Sequence, residues 1–277
     1  MKLPFEVDLK GKVAVVTGGS GVLGSYMCEA LAACGAHVAV IGRSKEKAQA
    51  LAETLKTESI GLAADVLDEN ALKEAKDAIL KKWGKVDILI NGAGGNNPVA
   101  TTDDEQYDKT AENIKDFFKL SFEGTRFVFD LNFLGTLLPT QIFADELLKQ
   151  EGASVVNISS MGAYLPLTKV VAYSAAKAAV SNFTQWLATY FAKSGLRVNA
   201  IAPGFFVTAQ NQSLLFNEDN SPTARTGKIL AATPMGRFGE PEELIGALLY
   251  LVSDKASGFV TGVCIPVDGG YTAYSGV

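Results

Sequence analysis

Three residues in the stretch Ser160 to Lys177, SMGAYLPLTKVVAYSAAK, have types and spacing that could move a proton. Tyr173 and Lys177 are four apart, so on a helix they share a face and a lysine cation can sit beside a phenol. A free tyrosine has a pKa of about 10. A nearby positive charge favours phenolate, which brings the hydroxyl into range for proton transfer near neutral pH. Ser160 directly follows the apolar run SVVNIS (154–159) and would lie on a strand tip, where its hydroxyl can hydrogen-bond a reacting oxygen. A YxxxK spacing alone is common by chance; the serine thirteen residues ahead of the tyrosine and the elements around it give it weight.

Those elements alternate. Apolar runs without helical period occur at 12–18, 37–42, 60–65, 87–91, 154–159, 197–202 and 263–270, and helix-patterned segments separate most of them, among them Glu69 to Trp83, Tyr173 to about Lys193 and Glu240 to Val252. About seven short strands alternating with helices predict a single α/β domain over 1–277, a doubly wound parallel sheet covered on both faces. Two stretches break the rhythm, an insertion at 95–130 and a loop at 205–235. Both follow strands, so both overhang the edge where open α/β sheets bind ligands, as the substrate side with a lid.

Composition closes off other classes. With 277 residues, 48% of them hydrophobic, the chain can bury a large core, and its net charge of -5 with no basic block argues against nucleic acid and anionic membrane surfaces as partners. No run reaches the roughly 18 apolar residues of a membrane span, and the opening MKLPFEVDLKGK lacks the apolar centre of a signal peptide. The expected location is cytoplasmic. Cys28, Cys34 and Cys264 have no CxxC spacing and His37 is the sole histidine, so neither a disulfide framework nor a metal site is expected.

The first strand runs into TGGSGVLG, where Gly18, Ser20, Gly21, Val22, Leu23 and Gly24 form a glycine-rich turn opening a helix. Such a turn lets backbone amides approach a pyrophosphate, with the helix dipole favouring the negative charge. Together with Asp65-Val66, NGAG at 91–94, Asn132, Ser160, YSAAK at 173–177 and PGFFVT at 203–208, it occurs in an order that resembles the single-domain short-chain dehydrogenase/reductase family over nearly the whole chain. The resemblance implies a Rossmann-type fold and a nicotinamide cofactor lying across the strand tips. Asp65 and Val66 would lie near adenine, Asn91, Ala93 and Gly94 along the ribose, and Pro203, Gly204, Phe206 and Thr208 at the nicotinamide end. Tyr173 and Lys177 would touch the cofactor as well as the substrate, and Asn132 would hold a water linking Lys177 to a proton relay. Relatives are commonly homotetramers joined through long helices corresponding to 111–148 and 172–193.

One departure is Val22, where the family usually has Gly or Ala; the turn can still form if Gly21 adopts the unusual backbone angles that glycine permits. For the cofactor, the end of the second strand carries Gly42 in place of the carboxylate that usually holds the ribose 2′-hydroxyl of NAD. Arg43 follows and can grip a 2′-phosphate, so NADP(H) is favoured slightly over NAD(H).

For the substrate, Asn96, Asn97, Gln210, Asn211 and Arg225 of the two excursions, together with Ser160, would suit a hydroxyl-rich ligand with a carboxylate, because arginine pairs a carboxylate bidentately. Phe117, Phe118, Phe127 and Phe129 are read as packing residues of the insertion. NGAGGNNP, the aromatic stretch after it and the loop FFVTAQNQSLLF resemble the D-mannonate oxidoreductase, or fructuronate reductase, branch of the family, implying interconversion of D-fructuronate and D-mannonate. A gluconate or polyol dehydrogenase, or a non-catalytic nucleotide-binding regulator on the same fold, stays open beside it.

Overall fold

Short runs of Val, Ile and Ala form the strands, and the period of two in a strand sends their side chains alternately to opposite faces. The computed structural model describes residues 7–207 and 212–276. It places β1 (Val13–Thr17), β2 (His37–Gly42), β3 (Ile60–Ala63), β4 (Ile88–Asn91), β5 (Ser154–Ile158), β6 (Arg197–Pro203) and β7 (Cys264–Val267) in one sheet of order β3-β2-β1-β4-β5-β6-β7. Each neighbouring pair is parallel. All seven strands coincide with the seven apolar runs of the sequence.

Val13 and Val15 turn to one face of β1, Ala14 and Val16 to the other, and the two sets belong to separate cores. The core with Ala14 and Val16 is closed by α1 (Val22–Ala33), α2 (Lys45–Thr54) and, further on, Leu248 and Leu251 of the last long helix. The opposite core takes Leu72, Ala75 and Ile79 of α3 (Glu69–Trp83), spaced to fall on one helix face. Asp68 caps α3 by accepting from the amides of Asn70 and Ala71, and Gly84 ends it in the left-handed region at φ 75°.

The insertion is less irregular than its composition suggests. Ser121 accepts from the Gly124 amide at 3.0 Å and starts α4 (Phe122–Phe129), which passes through a π turn at Asp130–Leu134 into α5 (Gly135–Leu147). By length and composition alone this 26-residue helical run is apolar enough to cross a membrane, a test that the core helix of a folded domain also passes. Half of its most apolar stretch is buried in this fold, with Phe143 and Leu147 in the core and Thr136 and Thr140 buried beside them. Its apolarity therefore has a use in packing against α3 and β4. The aromatic expectation is corrected too. Phe117, Phe118 and Phe127 are exposed, the first two meeting edge to face with each other and Phe118 with Tyr107, while Phe129 packs against a small buried cluster of Ala100, Val128 and Ala172.

The helix after β5, α6 (Val171–Phe191), crosses the second core, and 205–235 carries α7 (Gln212–Leu215) and α8 (Ala224–Ala232). A 3-10 turn at Pro241–Leu244 leads into α9 (Ile245–Val252), followed by the short α10 (Asp254–Ser257).

Candidate active site

The carboxyl ends of β1, β2, β3 and β4 surround a cleft of about 450 Å³. Its floor is backbone. Gly18 takes φ +66°, and a Cβ there would lie 2.8 Å from the Ala93 nitrogen; a Cβ on Gly24 would lie 2.2 Å from the Gly18 carbonyl oxygen. The turn thus places its left-handed residue at Gly18, while Gly21, expected to take that role, is extended at φ -80°. Val22 is accommodated as the first residue of α1, half-buried on the lining of the cleft.

No side chain caps α1 and no acidic residue stands in its first turn, whereas Ser44, Asp68, Ser121 and Thr223 cap α2, α3, α4 and α8. An uncapped helix start leaves amide donors for a ligand. Together with the glycine floor, that fits the pyrophosphate of a dinucleotide.

Of the residues expected to hold a cofactor, Gly18, Ser20, Gly21, Val22, Leu23, Gly24, Arg43, Asp65, Val66, Ala93 and Gly94 line this cleft. Ser44 and Lys47 line it as well and were missed by sequence reading; their signal is position, in the turn and first helical residues directly after Gly42. Gly42 has its own reason to be glycine, since a Cβ would lie 2.6 Å from Ser20 Oγ. Asn91 is placed elsewhere. Its side chain is buried behind the cleft wall, donating to Thr140 Oγ1 at 2.9 Å and Asn157 Oδ1 at 2.8 Å.

Pro203 ends β6, and Gly204 donates to the Val267 carbonyl at 2.9 Å. Phe206 is buried against Gly239 and borders a separate cavity of about 380 Å³ beside β7. Thr208, Gln210 and Asn211 lie outside the described residues.

At the inner end of the cleft the chemistry-bearing side chains converge. The π turn brings Asn132 inward, where Nδ2 donates to the Val128 carbonyl at 2.8 Å and the Gly95 carbonyl at 2.7 Å, and Oδ1 accepts from the Gly95 amide at 3.2 Å. Its amide thereby clamps the 92–95 loop. A Cβ on Gly94 would lie 2.7 Å from Asn132 Oδ1 and 3.1 Å from Lys177 Nζ, so loop, asparagine and lysine meet at one point. Lys177 is buried, donates to the Ile158 carbonyl at 2.7 Å and stands 5.8 Å from the centre of the Tyr173 ring. Ser160 follows β5 and accepts from the Gly162 amide at 3.1 Å.

The electrostatics differ from the simple expectation. Burial raises the Tyr173 phenol above its ordinary value, and the Ser160 hydroxyl pulls it partly back. Burial lowers Lys177 to about 8. In this crevice desolvation decides the direction for both groups, because both are taken out of water.

The substrate side is partly self-satisfied. Asn96 donates to Thr101 Oγ1 at 3.0 Å, and Asn97 Oδ1 accepts from the Val99 amide at 3.1 Å, so these amides shape a local turn. Lys228 of α8 is held by both carboxylate oxygens of Glu105 at 2.8 and 2.9 Å. Arg225, one turn earlier, is exposed; the Lys228 bond holds Glu105 below the usual carboxylate range with Arg225 adding to it, and burial raises the Tyr271 phenol with Arg225 pulling partly back.

A family model described as short chain dehydrogenase matches residues 12–219. An uncharacterized oxidoreductase UxuB of Bacillus subtilis is 52% identical over 99% of this chain and 100% of its own length. The crystal structure of a proposed D-mannonate oxidoreductase from Haemophilus influenzae, with bound NAD, superposes with a TM-score of 0.94 at 50% identity, each chain covered completely. A gluconate 5-dehydrogenase of Gluconobacter oxydans is 33% identical over 98% of this chain and 99% of its own length.

Proposed function

The chain belongs to the short-chain dehydrogenase family, and on that premise we propose that this oxidoreductase interconverts a keto sugar acid and its hydroxy acid, D-fructuronate and D-mannonate. The observation that carries the chemistry is the meeting of Asn132, Lys177 and the Gly94 backbone beside Tyr173, at the inner end of a cleft that fits a dinucleotide. The substrate follows from the full-length likeness to the Haemophilus protein and from Arg225, an exposed cation on the lid helix able to hold a carboxylate.

When bound, the nicotinamide supplies hydride for reduction and takes it up in oxidation. The residues of this chain govern the oxygen. Tyr173 gives its proton to the carbonyl oxygen in reduction, and the raised pKa keeps that proton available at neutral pH. Ser160 hydrogen-bonds the same oxygen. Lys177 would hold the coenzyme's ribose and stabilise phenolate once the proton has left, and Asn132 fixes the loop that carries Gly94 and Gly95.

Gly42 brings no carboxylate to the ribose 2′ position, while Arg43 and Lys47 bring two cations to that end of the cleft. These favour NADP(H), and the NAD in the Haemophilus structure favours NAD(H); we propose a site that accepts both, with a slight preference for NADP(H). The exposed stack of Trp186 on Tyr190, ring centres 4.8 Å apart on α6, supports assembly into a homotetramer through that face. Light scattering of the purified protein measures the assembly.

The test is turnover of D-fructuronate with NADH and NADPH in parallel, beside gluconate, polyols and an acyl thioester. Preference for fructuronate supports the reading. Preference for gluconate, as the name of the Gluconobacter relative would suggest, replaces the substrate but keeps the chemistry. Coenzyme binding without turnover of any carbonyl compound would point to a regulator.

A further inference from the structure

Between the catalytic helix and the lid runs a strap of four residues, Thr102 to Glu105. Lys169 grips its first half at two points. The Lys169 carbonyl accepts from the Thr102 amide at 3.0 Å, and its ammonium donates to the Asp103 carbonyl at 2.7 Å. The far end of the strap is Glu105, whose carboxylate takes Lys228 of α8 with both oxygens.

Lys169 holds this grip at φ +72°, in the left-handed region that a non-glycine residue enters only at a cost, of order 1 kcal/mol. Two residues on, α6 begins, with Tyr173 in its first turn. Tyr173 also packs on Ala100, Val128 and Ala172, a cluster made jointly by the start of the insertion, α4 and α6. The base of the strap and the phenol therefore share one small core. The two ends of the strap differ in strength. Glu105 with Lys228 is a surface ion pair, worth only about 0 to 1 kcal/mol, so it can open and close; Lys169 is half-buried and bonded through its backbone as well as its side chain.

We propose that Lys169 is a positioning residue: it fastens the strap so that the lid helix, when latched by Glu105, fixes the placement of Tyr173 over the substrate. The inference rests on Tyr173 being the proton donor, and its test separates the two. Lys169→Gly removes the ammonium and relieves the strained φ; Lys169→Met removes the ammonium and keeps the stem; Lys169→Arg keeps a cation. The measurements are kcat, KM for the sugar acid, KM for the coenzyme, thermal midpoint, and hydrogen exchange of the Val171–Ser174 amides in the coenzyme complex.

Expected are a kcat about tenfold lower in the Gly and Met variants, the scale of a sub-ångström misplacement, an unchanged coenzyme KM, faster exchange in the first turn of α6, and recovery in the Arg variant. The Gly variant should melt no lower than wild type. Wild-type kcat in the Gly and Met variants, or a kcat that falls only in step with the melting temperature, overturns the proposal. Should the wild type turn over no sugar acid, the functional reading fails alone, and the exchange rates still decide the grip: unchanged rates in the Gly variant refute it.

Discussion

Lys177 Nζ donates to the Ile158 carbonyl at 2.7 Å and stands 5.8 Å from the centre of the Tyr173 ring. The ammonium is thus anchored to the tip of β5, not to the phenol it serves. Since β5 also delivers Ser160, one strand end sets the relative placement of both groups that act with Tyr173. Burial sets the direction of the phenol's resting pKa, and the Ser160 hydroxyl tempers it.

Replacing the phenol tests its role directly. Tyr173→Phe keeps the ring that packs on Ala172 and Val128 and removes the proton. The expected fall in kcat is on the order of 10² to 10⁴, the range of general acid catalysis, with coenzyme affinity held. Fluorescence titration with the coenzyme and steady-state rates measure the two effects, and turnover at the wild-type rate would refute the mechanism.

The two directions of reaction should respond oppositely to pH. Reduction needs the protonated phenol, and with the Tyr173 pKa raised that form predominates throughout the neutral range. Reduction should therefore be flat up to about 8, then decline as Lys177 loses its charge. Oxidation needs phenolate and should climb with pH over the same interval. Rate profiles in both directions check this; an oxidation rate indifferent to pH would count against Tyr173 as the base.

Stability should carry the mark of the buried lysine. Below about pH 8 Lys177 is charged both folded and unfolded, and folding bears the cost of burying it. Between about 8 and its ordinary 10.5 the unfolded chain holds a proton that the folded chain has released, so stability contributed by this group rises with pH. Lys177→Met removes that cost, an effect of up to about 3 kcal/mol at neutral pH, reduced by about 1 kcal/mol for the lost bond to Ile158. Inactive Lys177→Met should thus unfold at higher denaturant than coenzyme-free wild type at pH 7, and the gap should shrink as pH rises past 8. A variant less stable at every pH would show that the bonds Lys177 makes in the folded chain outweigh the cost of burying its charge.

The sequence made the sheet legible because all seven strands are short, branched and apolar, with no competing helical period. It also exposed the serine, tyrosine and lysine, whose spacing survives any choice of loop conformation. The insertion was harder. Phe127 and Phe129 read alike in sequence, yet of these two Phe129 faces the core, because the Ser121 cap that sets the helical phase is a single hydroxyl among many polar residues. Asn91 was misplaced since a residue at a strand end can face the cleft or the sheet interior, and here Thr140 and Asn157 draw it inward. Lys47 was missed because helix lysines are usually solvated, and its role depends on where β2 ends.

The glycine turn offers a graded test within one loop. A Cβ on Gly24 would fall 2.2 Å from the Gly18 carbonyl oxygen, a backbone atom that cannot step aside, whereas a Cβ on Gly21 would lie 3.1 Å from the same oxygen. Gly18 adds a backbone penalty at φ +66°, together with a 2.8 Å approach to the Ala93 nitrogen. Alanine at 24 should therefore open the turn and destabilise the protein as well as lose the dinucleotide. Alanine at 18 should weaken dinucleotide binding by more than about tenfold, or roughly 1.4 kcal/mol, since the loop must shift against Ala93. Alanine at 21, which is extended and needs a displacement of only tenths of an ångström, should cost least. Calorimetric coenzyme titration of the three variants, each with its melting temperature, gives the ranking; if alanine at 21 proved the most damaging, the turn would have a different conformation in the working enzyme.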